Sequence, residues 1–122
     1  MERSKEITST YLKALDNHLA DIVAQRATEM LEINEIAELL NINATYLSNT
    51  IKQETGQSAC HFYQTKIIDI IKSLLEKDEM NITQIAYLLT YDPSNFTKLF
   101  KSYMQQTPKQ YRDAFREKVR QS

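Results

Sequence analysis

An internal repeat is the feature of this sequence that most limits how the chain can fold. The segment IAELLNINATYLSNTIKQ, which begins at Ile36, aligns without a gap on IAYLLTYDPSNFTKLFKS, which begins at Ile85, so the offset is 49 residues. Because a duplicated segment folds as two similar units, we expect two copies of one small motif. The matching apolar positions are predicted to be core positions: Ile33/Ile82, Ile36/Ile85, Ala37/Ala86, Leu39/Leu88, Leu40/Leu89, Leu47/Phe96 and Ile51/Phe100.

Each copy is predicted to begin with a short helix followed by a three-residue turn. Apolar residues recur at positions i, i+3, i+4 and i+7, which is the spacing of one helix face. The turns are residues 41–43 and 90–92, and their last members, Asn43 and Asp92, can cap the following helix by accepting hydrogen bonds from its free N–H groups. Pro93 predicts that the second helix of its copy begins there, because proline suits the first helical position.

The second helix of each copy is predicted to be amphipathic, and Gly56 is predicted to end the first of them. A short helix, a turn and a polar second helix together describe helix-turn-helix geometry, in which the second helix enters the DNA major groove. A plain helical hairpin repeat is the alternative, and two copies in register favour DNA binding over it. The residues that the second helices should bury are Leu47 and Ile51, then Phe96, Leu99 and Phe100.

A longer helix is predicted between the two copies, capped by Ser58 and ending near the polar stretch EKDEMN. At about 18 residues it would be roughly 27 Å long, because a helix rises 1.5 Å per residue. A rod of that length could hold two recognition helices about one DNA turn apart, near 34 Å, on one face of the duplex. The predicted division is residues 1–57, a linker helix over 58–79 and residues 80–122, which together form one module.

Composition and charge indicate the class of protein. With one glycine, two prolines and 42% hydrophobic residues, the chain lacks the frequent turns of a sheet protein and is predicted to be all-α. Its net charge of −1 is unusual for a DNA-binding protein. Residues 1–40 hold four basic and eight acidic residues, whereas residues 98–120 hold seven basic and two acidic ones. This basic segment fits a solvated helix face and an electrostatic footprint for phosphate equally well.

The sequence contains no motif of catalysis, cofactor binding or metal binding. Because it has no Gly-rich phosphate loop, no HExxH and no CxxC pair, we expect neither an enzyme nor a cofactor or metal site. Cys60 and His61 would point to different parts of a helix, and His18 is interpreted as a surface or boundary residue. The aromatic residues, Tyr46 among them, are predicted to be mostly core. No apolar run approaches the roughly 18 residues of a membrane span, so no membrane association is expected.

The sequence resembles the DNA-binding domain of the AraC/XylS family of transcription regulators. The second half of that domain has an Ile-x-x-Ile-Ala helix, a turn, a Phe-x-x-x-Phe-Lys helix and a closing Thr-Pro-x-x-Tyr-Arg. The resemblance spans about residues 33–112 and includes both copies of the repeat. The matching residues are Ile82, Ile85, Ala86, Phe96, Phe100, Lys101, Thr107, Pro108, Tyr111 and Arg112 in the second half, and Ile36, Ala37, Tyr46, Leu47, Lys52, Thr55, Gly56 and Ser58 in the first.

The resemblance implies a fold, a partner and a location. It implies seven helices in two helix-turn-helix subdomains, with a first helix from Ile7 to about Ala24 that packs on the first unit. Double-stranded DNA is the implied partner, RNA polymerase is a further one, and dimerisation would use a domain outside these residues. A bacterial cytoplasmic location at the nucleoid follows. The first-helix residues expected to pack are Tyr11, Leu12, Leu15, Leu19 and Ile22.

By position in the family motif, the outward face of each second helix would contact DNA. Asparagine can bond adenine through two hydrogen bonds and lysine can donate to guanine, whereas serine and threonine discriminate weakly. A helical protein-interaction module without DNA affinity is the alternative, because the chain is nearly neutral. The implied base contacts are Thr45, Ser48, Asn49, Ser94, Asn95 and Lys98, and the implied phosphate contacts are Lys52, Thr97, Lys101 and Lys109.

Several positions depart from the family pattern. Thr90 and Gln105 stand where the family usually has glycine, so left-handed backbone there would cost on the order of 1 kcal/mol each. Ile67 stands where an arginine is expected in the linker helix. The first recognition helix carries Ser48 and Asn49 rather than arginine, which implies weak intrinsic affinity or a need for dimerisation.

Overall fold

The protein is all-helical, as the repeat and the composition predicted. The computed structural model describes residues 2–121, and within them it contains seven α-helices and no β-strand. The described residues include no helix with the length and apolar character that a membrane span requires. The helices are α1 (Glu2–Val23), α2 (Ile33–Leu39), α3 (Ala44–Thr55), α4 (Ala59–Lys77), α5 (Ile82–Leu88), α6 (Pro93–Met104) and α7 (Pro108–Arg120).

The sequence repeat is also a repeat of the backbone. Helices α5 and α6 begin and end 49 residues after α2 and α3, and α7 begins 49 residues after α4. The two residues with left-handed backbone after α2 and α3 also recur at this offset. Asn41 (φ 57°) corresponds to Thr90 (φ 66°), and Gly56 (φ 80°) corresponds to Gln105 (φ 62°). The duplication therefore includes the turns as well as the helices.

The chain divides into two compact units, residues 1–66 and residues 67–122. The boundary lies within α4, so this helix contributes its first part to the N-terminal unit and its remainder to the C-terminal unit. Each unit contains one helix-turn-helix: α2 and α3 in the first, and α5 and α6 in the second. The linker helix begins, as predicted, with a side-chain cap, because the backbone N–H of His61 donates to Oγ of Ser58 at 2.9 Å.

The N-terminal unit is built on α1, which packs against α2 and α3. Helix α1 begins at Glu2 rather than at Ile7, because its first turn is polar and the apolar periodicity that marks a helix starts only at Ile7. Leu12 is only half-buried, whereas the other residues expected to pack are buried. The core of the unit consists of Tyr11, Leu15, Leu19, Ile22, Ile36, Ala37, Leu47 and Ile51, each at most 1% exposed.

Three hydrogen bonds tie α1, the segment before α2 and the start of α4 together. The hydroxyl of Tyr11 donates to the carbonyl of Ala59 at 2.9 Å, and the hydroxyl of Tyr63 donates to the carbonyl of Leu31 at 2.6 Å. The backbone N–H of Leu31 donates to Nε2 of His18 at 3.0 Å. Burial lowers the pKa of His18, against the opposing effect of nearby carboxylates. His18 is thus a half-buried, neutral acceptor, in keeping with its interpretation as a boundary residue.

The C-terminal unit has an aromatic core in which α7 closes over the end of α4. Arg112 is only 5% exposed, and its guanidinium donates to the carbonyls of Leu75 at 3.0 Å and Leu74 at 3.3 Å. The hydroxyl of Tyr111 donates to the Glu76 carboxylate, and burial together with this bond raises the pKa of Tyr111 to about 12. The bonds from Arg112 satisfy carbonyls that the end of a helix leaves without partners. The buried apolar residues include Ile71, Leu75, Ile85, Ala86, Leu89, Phe96 and Phe100.

Two core predictions were wrong, because Leu39 is 70% exposed and Tyr46 is 50% exposed. Five other residues expected in the core are only half-buried: Ile33, Leu40, Ile82, Leu88 and Leu99. Leu39 and Tyr46 each come one position before a residue of the inward face, and one helical position rotates a side chain by about 100°. Identity between the two copies, or large apolar character, does not by itself place a residue on the inward face.

Candidate nucleic-acid interface

The turn of the N-terminal helix-turn-helix is fixed by backbone and side-chain hydrogen bonds. Asn41 has left-handed backbone, which asparagine tolerates better than most residues, and the N–H of Ile42 donates to the carbonyl of Ala37 at 3.0 Å. Helix α3 then begins after Asn43, whose Oδ1 accepts from the N–H of Tyr46 at 3.0 Å. The predicted cap is therefore present, and it sets where the outward face of α3 begins.

The turn of the C-terminal helix-turn-helix has the same form with different residues. The N–H of Tyr91 donates to the carbonyl of Ala86 at 2.8 Å, and Oδ2 of Asp92 accepts from the N–H of Ser94 at 3.0 Å. Pro93 is the first residue of α6, as predicted. Thr90 adopts left-handed backbone although it is β-branched, so its turn keeps the geometry of its counterpart at a cost of about 1 kcal/mol.

The ends of the two second helices are also equivalent. Gly56 and Gln105 both have left-handed backbone, and their N–H groups donate to the carbonyls of Lys52 and Lys101. Each N–H···O distance is 2.9 Å. Gln105 is thus held in a conformation that favours glycine. The two second helices therefore have the same length and the same cap positions, and they differ in the side chains that they expose.

The outward face of α3 is polar and nearly uncharged. Thr45 and Asn49 are exposed, whereas Ser48 is half-buried at the edge of the face. The face carries one cation, Lys52, whose Nζ donates to the carbonyl of Gly56 at 2.9 Å at the end of the helix. The exposed Gln53, one helical turn after Asn49, belongs to the same face and was missed in the sequence, although its i+4 spacing from Asn49 could have indicated it.

The outward face of α6 is polar and positively charged. Ser94, Asn95 and Lys101 are exposed, as is Lys98, and Thr97 is half-buried at the edge. Over residues 2–121, no acidic side chain forms an ion pair with Lys98 or Lys101, so both ammonium groups are open to solvent. The structure thus brings the sequence-predicted residues of the second copy together on one uncovered helix face.

Lys109 lies on a different helix from the other predicted contacts. It is in the first turn of α7, and its Nζ contacts Oδ2 of Asp113 at 2.8 Å, a bond that lowers the pKa of the Asp113 carboxyl. Arg116 is paired with Asp78, and Arg112 is buried. The basic segment over residues 98–120 therefore presents fewer unpaired cations than its sequence suggested, and within that segment only the two lysines of α6 lie on a recognition helix.

The two units carry opposite net charge. Residues 1–66 contain six basic and nine acidic residues, a net charge of −3, whereas residues 67–122 contain nine basic and seven acidic residues, a net charge of +2. The acidic residues next to the first turn include Glu35 and Glu38 on α2, while α5 has no charged residue. The electrostatic attraction for a polyanion is therefore concentrated in the C-terminal unit.

Comparison with known proteins identifies the family. A family model described as a helix-turn-helix domain matches residues 36–114. The C-terminal domain of AraT, a response regulator from Geobacillus stearothermophilus, is 30% identical with a TM-score of 0.76, and the alignment covers 88% of this chain and 84% of that one. This chain belongs to the AraC-type helix-turn-helix family of DNA-binding transcription regulators. The AraC-type family is a family of DNA-binding domains and not one of enzymes.

Two further similarities describe the extent of this relationship. The HTH-type transcriptional regulator YtdP of Bacillus subtilis is 32% identical over 101 residues, which is 82% of this chain and 13% of YtdP. The DNA-binding domain of AdpA, solved in complex with a target DNA, has the same fold with a TM-score of 0.70 at 19% identity, and the alignment covers 86% of this chain and 98% of that one. The AraC-type chain described here spans 7% to 39% of the length of the first curated relatives that it matches.

Proposed function

We propose that this chain binds duplex DNA in a sequence-specific manner and regulates transcription by inserting α3 and α6 into successive major grooves. The observation that carries the proposal is the recurrence, in both units, of one motif whose second helix starts at a side-chain cap and has an uncovered polar face. A helix of this kind fits the major groove, where its N-terminal residues reach the base edges. Two such helices would read a longer site than one helix alone, and the site would be asymmetric because their exposed side chains differ.

The base contacts that we propose follow from the exposed faces. Asn49 and Asn95 can each pair with an adenine through two hydrogen bonds, and Lys98 can donate to a guanine. Discrimination by the three hydroxyl residues would be weaker, because a hydroxyl both accepts and donates. Ser48 is the least accessible of the set, so we expect it to contribute least. The hydroxyl residues are Thr45, Ser48 and Ser94.

The phosphate contacts that we propose differ in how well the structure supports them. Lys101, in the last turn of α6, has no competing acid within residues 2–121 and is the strongest candidate. Lys52 and Lys109 are exposed, but each ammonium group already bonds an oxygen atom of the chain. Each would have to keep that bond while it contacts a phosphate, or give it up. Thr97 is half-buried and could donate only from the edge of its face. Such contacts would fix the register of the protein on the duplex without reading its sequence.

Other parts of the proposal rest on the family alone. The complex of the AdpA domain with a target DNA supports duplex DNA as the partner. Contacts with RNA polymerase, dimerisation through a domain outside these residues and a cytoplasmic location at the bacterial nucleoid stay predictions. The second candidate function, a helical protein-interaction module, is favoured by the net charge of −3 in residues 1–66, which would repel a phosphate backbone.

The test is a titration of the chain with duplexes selected from a random pool, at two salt concentrations. Sequence-specific DNA binding requires a selected consensus and an affinity that falls steeply as salt rises, because phosphate contacts release counterions. Lys98→Ala and Asn49→Ala should each relax the preference for one base. A pool that yields no consensus, together with capture of no duplex at low salt, would favour the protein-interaction alternative.

A further inference from the structure

A large aromatic side chain lies uncovered beside the proposed base contacts. Tyr46 is 50% exposed, and among the described residues it is the most exposed large apolar side chain on α3 or α6. Its hydroxyl has no hydrogen-bond partner within residues 2–121. The core of the N-terminal unit is complete without it, since Leu47 and Ile51 on the same helix are fully buried. Packing within this chain therefore does not account for the exposed half of the ring.

The position of Tyr46 places it at the end of α3 that would reach the bases. It is the third residue of the helix, and long side chains on a helix lean towards its N-terminus. Asn49 is three positions later, so the two side chains are neighbours on the helix surface. The ring therefore extends the base-contacting face that Thr45 and Asn49 begin.

We infer that Tyr46 packs against the C5-methyl group of a thymine, beside an adenine that Asn49 reads. The inference rests on the proposed function and adds to it a further specificity-determining residue and the base composition of one half-site. The thymine methyl is the apolar group on the major-groove edge of the four bases, and apolar side chains are the groups that recognise it. Contact with the ring would remove both the methyl and part of the ring from water.

The corresponding residue in the C-terminal unit has different chemistry. Counting 49 residues from Tyr46 leads to Asn95, and from Asn49 to Lys98. The C-terminal unit therefore offers an amide and an ammonium group where the N-terminal unit offers a ring and an amide. The half-site of the N-terminal unit is thus expected to contain an adenine and a thymine whose methyl group is contacted, whereas the half-site of the C-terminal unit is expected to contain an adenine and a guanine.

The experiment replaces thymines in the selected duplex, one at a time, by deoxyuridine, which lacks only the C5-methyl. The full chain should lose about fourfold in affinity at one thymine, the loss expected for one buried methyl group. That thymine should lie in the half-site where Asn49→Ala relaxes the preference for adenine. Tyr46→Ala should bind the thymine and deoxyuridine duplexes equally well, and Tyr46→Phe should retain the difference.

Control variants test whether the ring of Tyr46 itself produces the dependence on the methyl group. Tyr87→Ala removes an exposed tyrosine from α5, outside either second helix, and should leave the methyl dependence unchanged. A methyl effect that persists in Tyr46→Ala but disappears in Thr45→Ser would overturn the assignment to Tyr46, as would equal affinity of the unmodified chain for every deoxyuridine duplex. Since each of these results requires specific DNA binding, failure of the inference is distinguishable from failure of the proposed function, in which no duplex is selected.

Discussion

The two helix-turn-helix units have nearly the same backbone and different surfaces. Their helices begin and end at one constant offset, and both second helices start at a side-chain cap and end at a left-handed residue. In contrast, residues 1–66 carry a net charge of −3 and residues 67–122 a net charge of +2. Backbone geometry and buried residues are thus enough to define the motif. The exposed side chains can differ between two copies of it, so the copies can bind different partners or different bases.

The two units are therefore expected to contribute differently to DNA binding. Within the part of the chain that the structure describes, helix α6 presents two unpaired ammonium groups, whereas the single lysine of α3 is bonded to the carbonyl of Gly56. Attraction for phosphate is long-range and does not depend on sequence, whereas amide and apolar contacts act only at the base edge. We therefore expect the C-terminal unit to supply most of the affinity, and the N-terminal unit to add mainly specificity.

The largest expected effect tests whether the two cores are energetically equivalent. Leu47 and Phe96 occupy corresponding positions, and both are fully buried. Leu47→Ala should lower the free energy of unfolding by about 2–5 kcal/mol and Phe96→Ala by about 3–5 kcal/mol, because each leaves a cavity in its unit. Chemical denaturation measures both losses, and a separate hydrogen-exchange experiment shows in which unit each loss occurs.

The matched control for the core variants is Leu39→Ala, which removes a leucine that is 70% exposed. Its effect should stay within about 0.5 kcal/mol, as for most surface substitutions. A loss as large as that of Leu47→Ala would mean that Leu39 is a core residue, as its identity with Leu88 first suggested. Loss of hydrogen-exchange protection confined to one unit in each core variant would show that the units are stabilised separately.

The next largest effect is expected in DNA binding, where one variant in each unit tests whether the two units contribute differently. Lys98→Ala should weaken binding by about 1–3 kcal/mol at one base position and reduce the slope of log affinity against log salt, because it removes a cation from the interface. Asn49→Ala should weaken binding by a similar free energy at an adenine without changing that slope, since it removes no charge. Fluorescence anisotropy titrations of both variants over a series of salt concentrations supply the measurement. An equal change of slope in both variants would contradict the proposed difference between the units.

Sequence reasoning recovered most of the fold but only part of the surface. Helix starts at Pro93 and after Asn43 followed from capping chemistry, which acts locally and is therefore readable in the sequence. The burial of Arg112 was not recovered, because it depends on the neighbours that the folded chain brings into contact with it. The exposure of Tyr46 was also missed, although its place one helical position before Leu47 could have indicated it. The pairing of Lys109 with Asp113 could have been read from its i,i+4 spacing.

A smaller effect concerns the left-handed ends of the second helices. Gln105→Gly should raise the free energy of unfolding by about 1 kcal/mol, because it removes the left-handed strain that a side chain suffers at that position. Gly56→Ala, the reverse change at the equivalent position, should lower it by a similar amount. Nothing lies within 4 Å of the added Cβ at Gly56, so the loss would come from backbone strain and not from a clash. Thermal unfolding of the two variants gives both values. Equal signs for the two changes would refute the equivalence of these caps.

The smallest effect is a difference in how the two units respond to acid. Burial lowers the pKa of His18 below its ordinary value of 6.5, so the unfolded chain binds the proton more readily than the folded one. This contribution to stability is complete above pH 6.5 and is lost as the pH falls through the lowered pKa, because protonated Nε2 can no longer accept from the N–H of Leu31. Hydrogen exchange at about pH 7.5 and about pH 5, on either side of the ordinary histidine pKa, should show weaker protection in residues 1–66 at the lower pH.

The C-terminal unit should respond only in stronger acid. The hydrogen bond from Arg116 lowers the pKa of Asp78, and that from Lys109 lowers the pKa of Asp113, so these carboxylates add stability above their ordinary pKa of 3.8 and lose it below. His18→Gln keeps an acceptor for Leu31 but cannot be protonated in this range, so it should remove the weakening of residues 1–66 between the two pH values. If both units weakened together over that interval, in the unmodified chain and in the glutamine variant alike, then His18 would not be the group responsible, and the acid response would belong to the whole chain rather than to one of its two repeats.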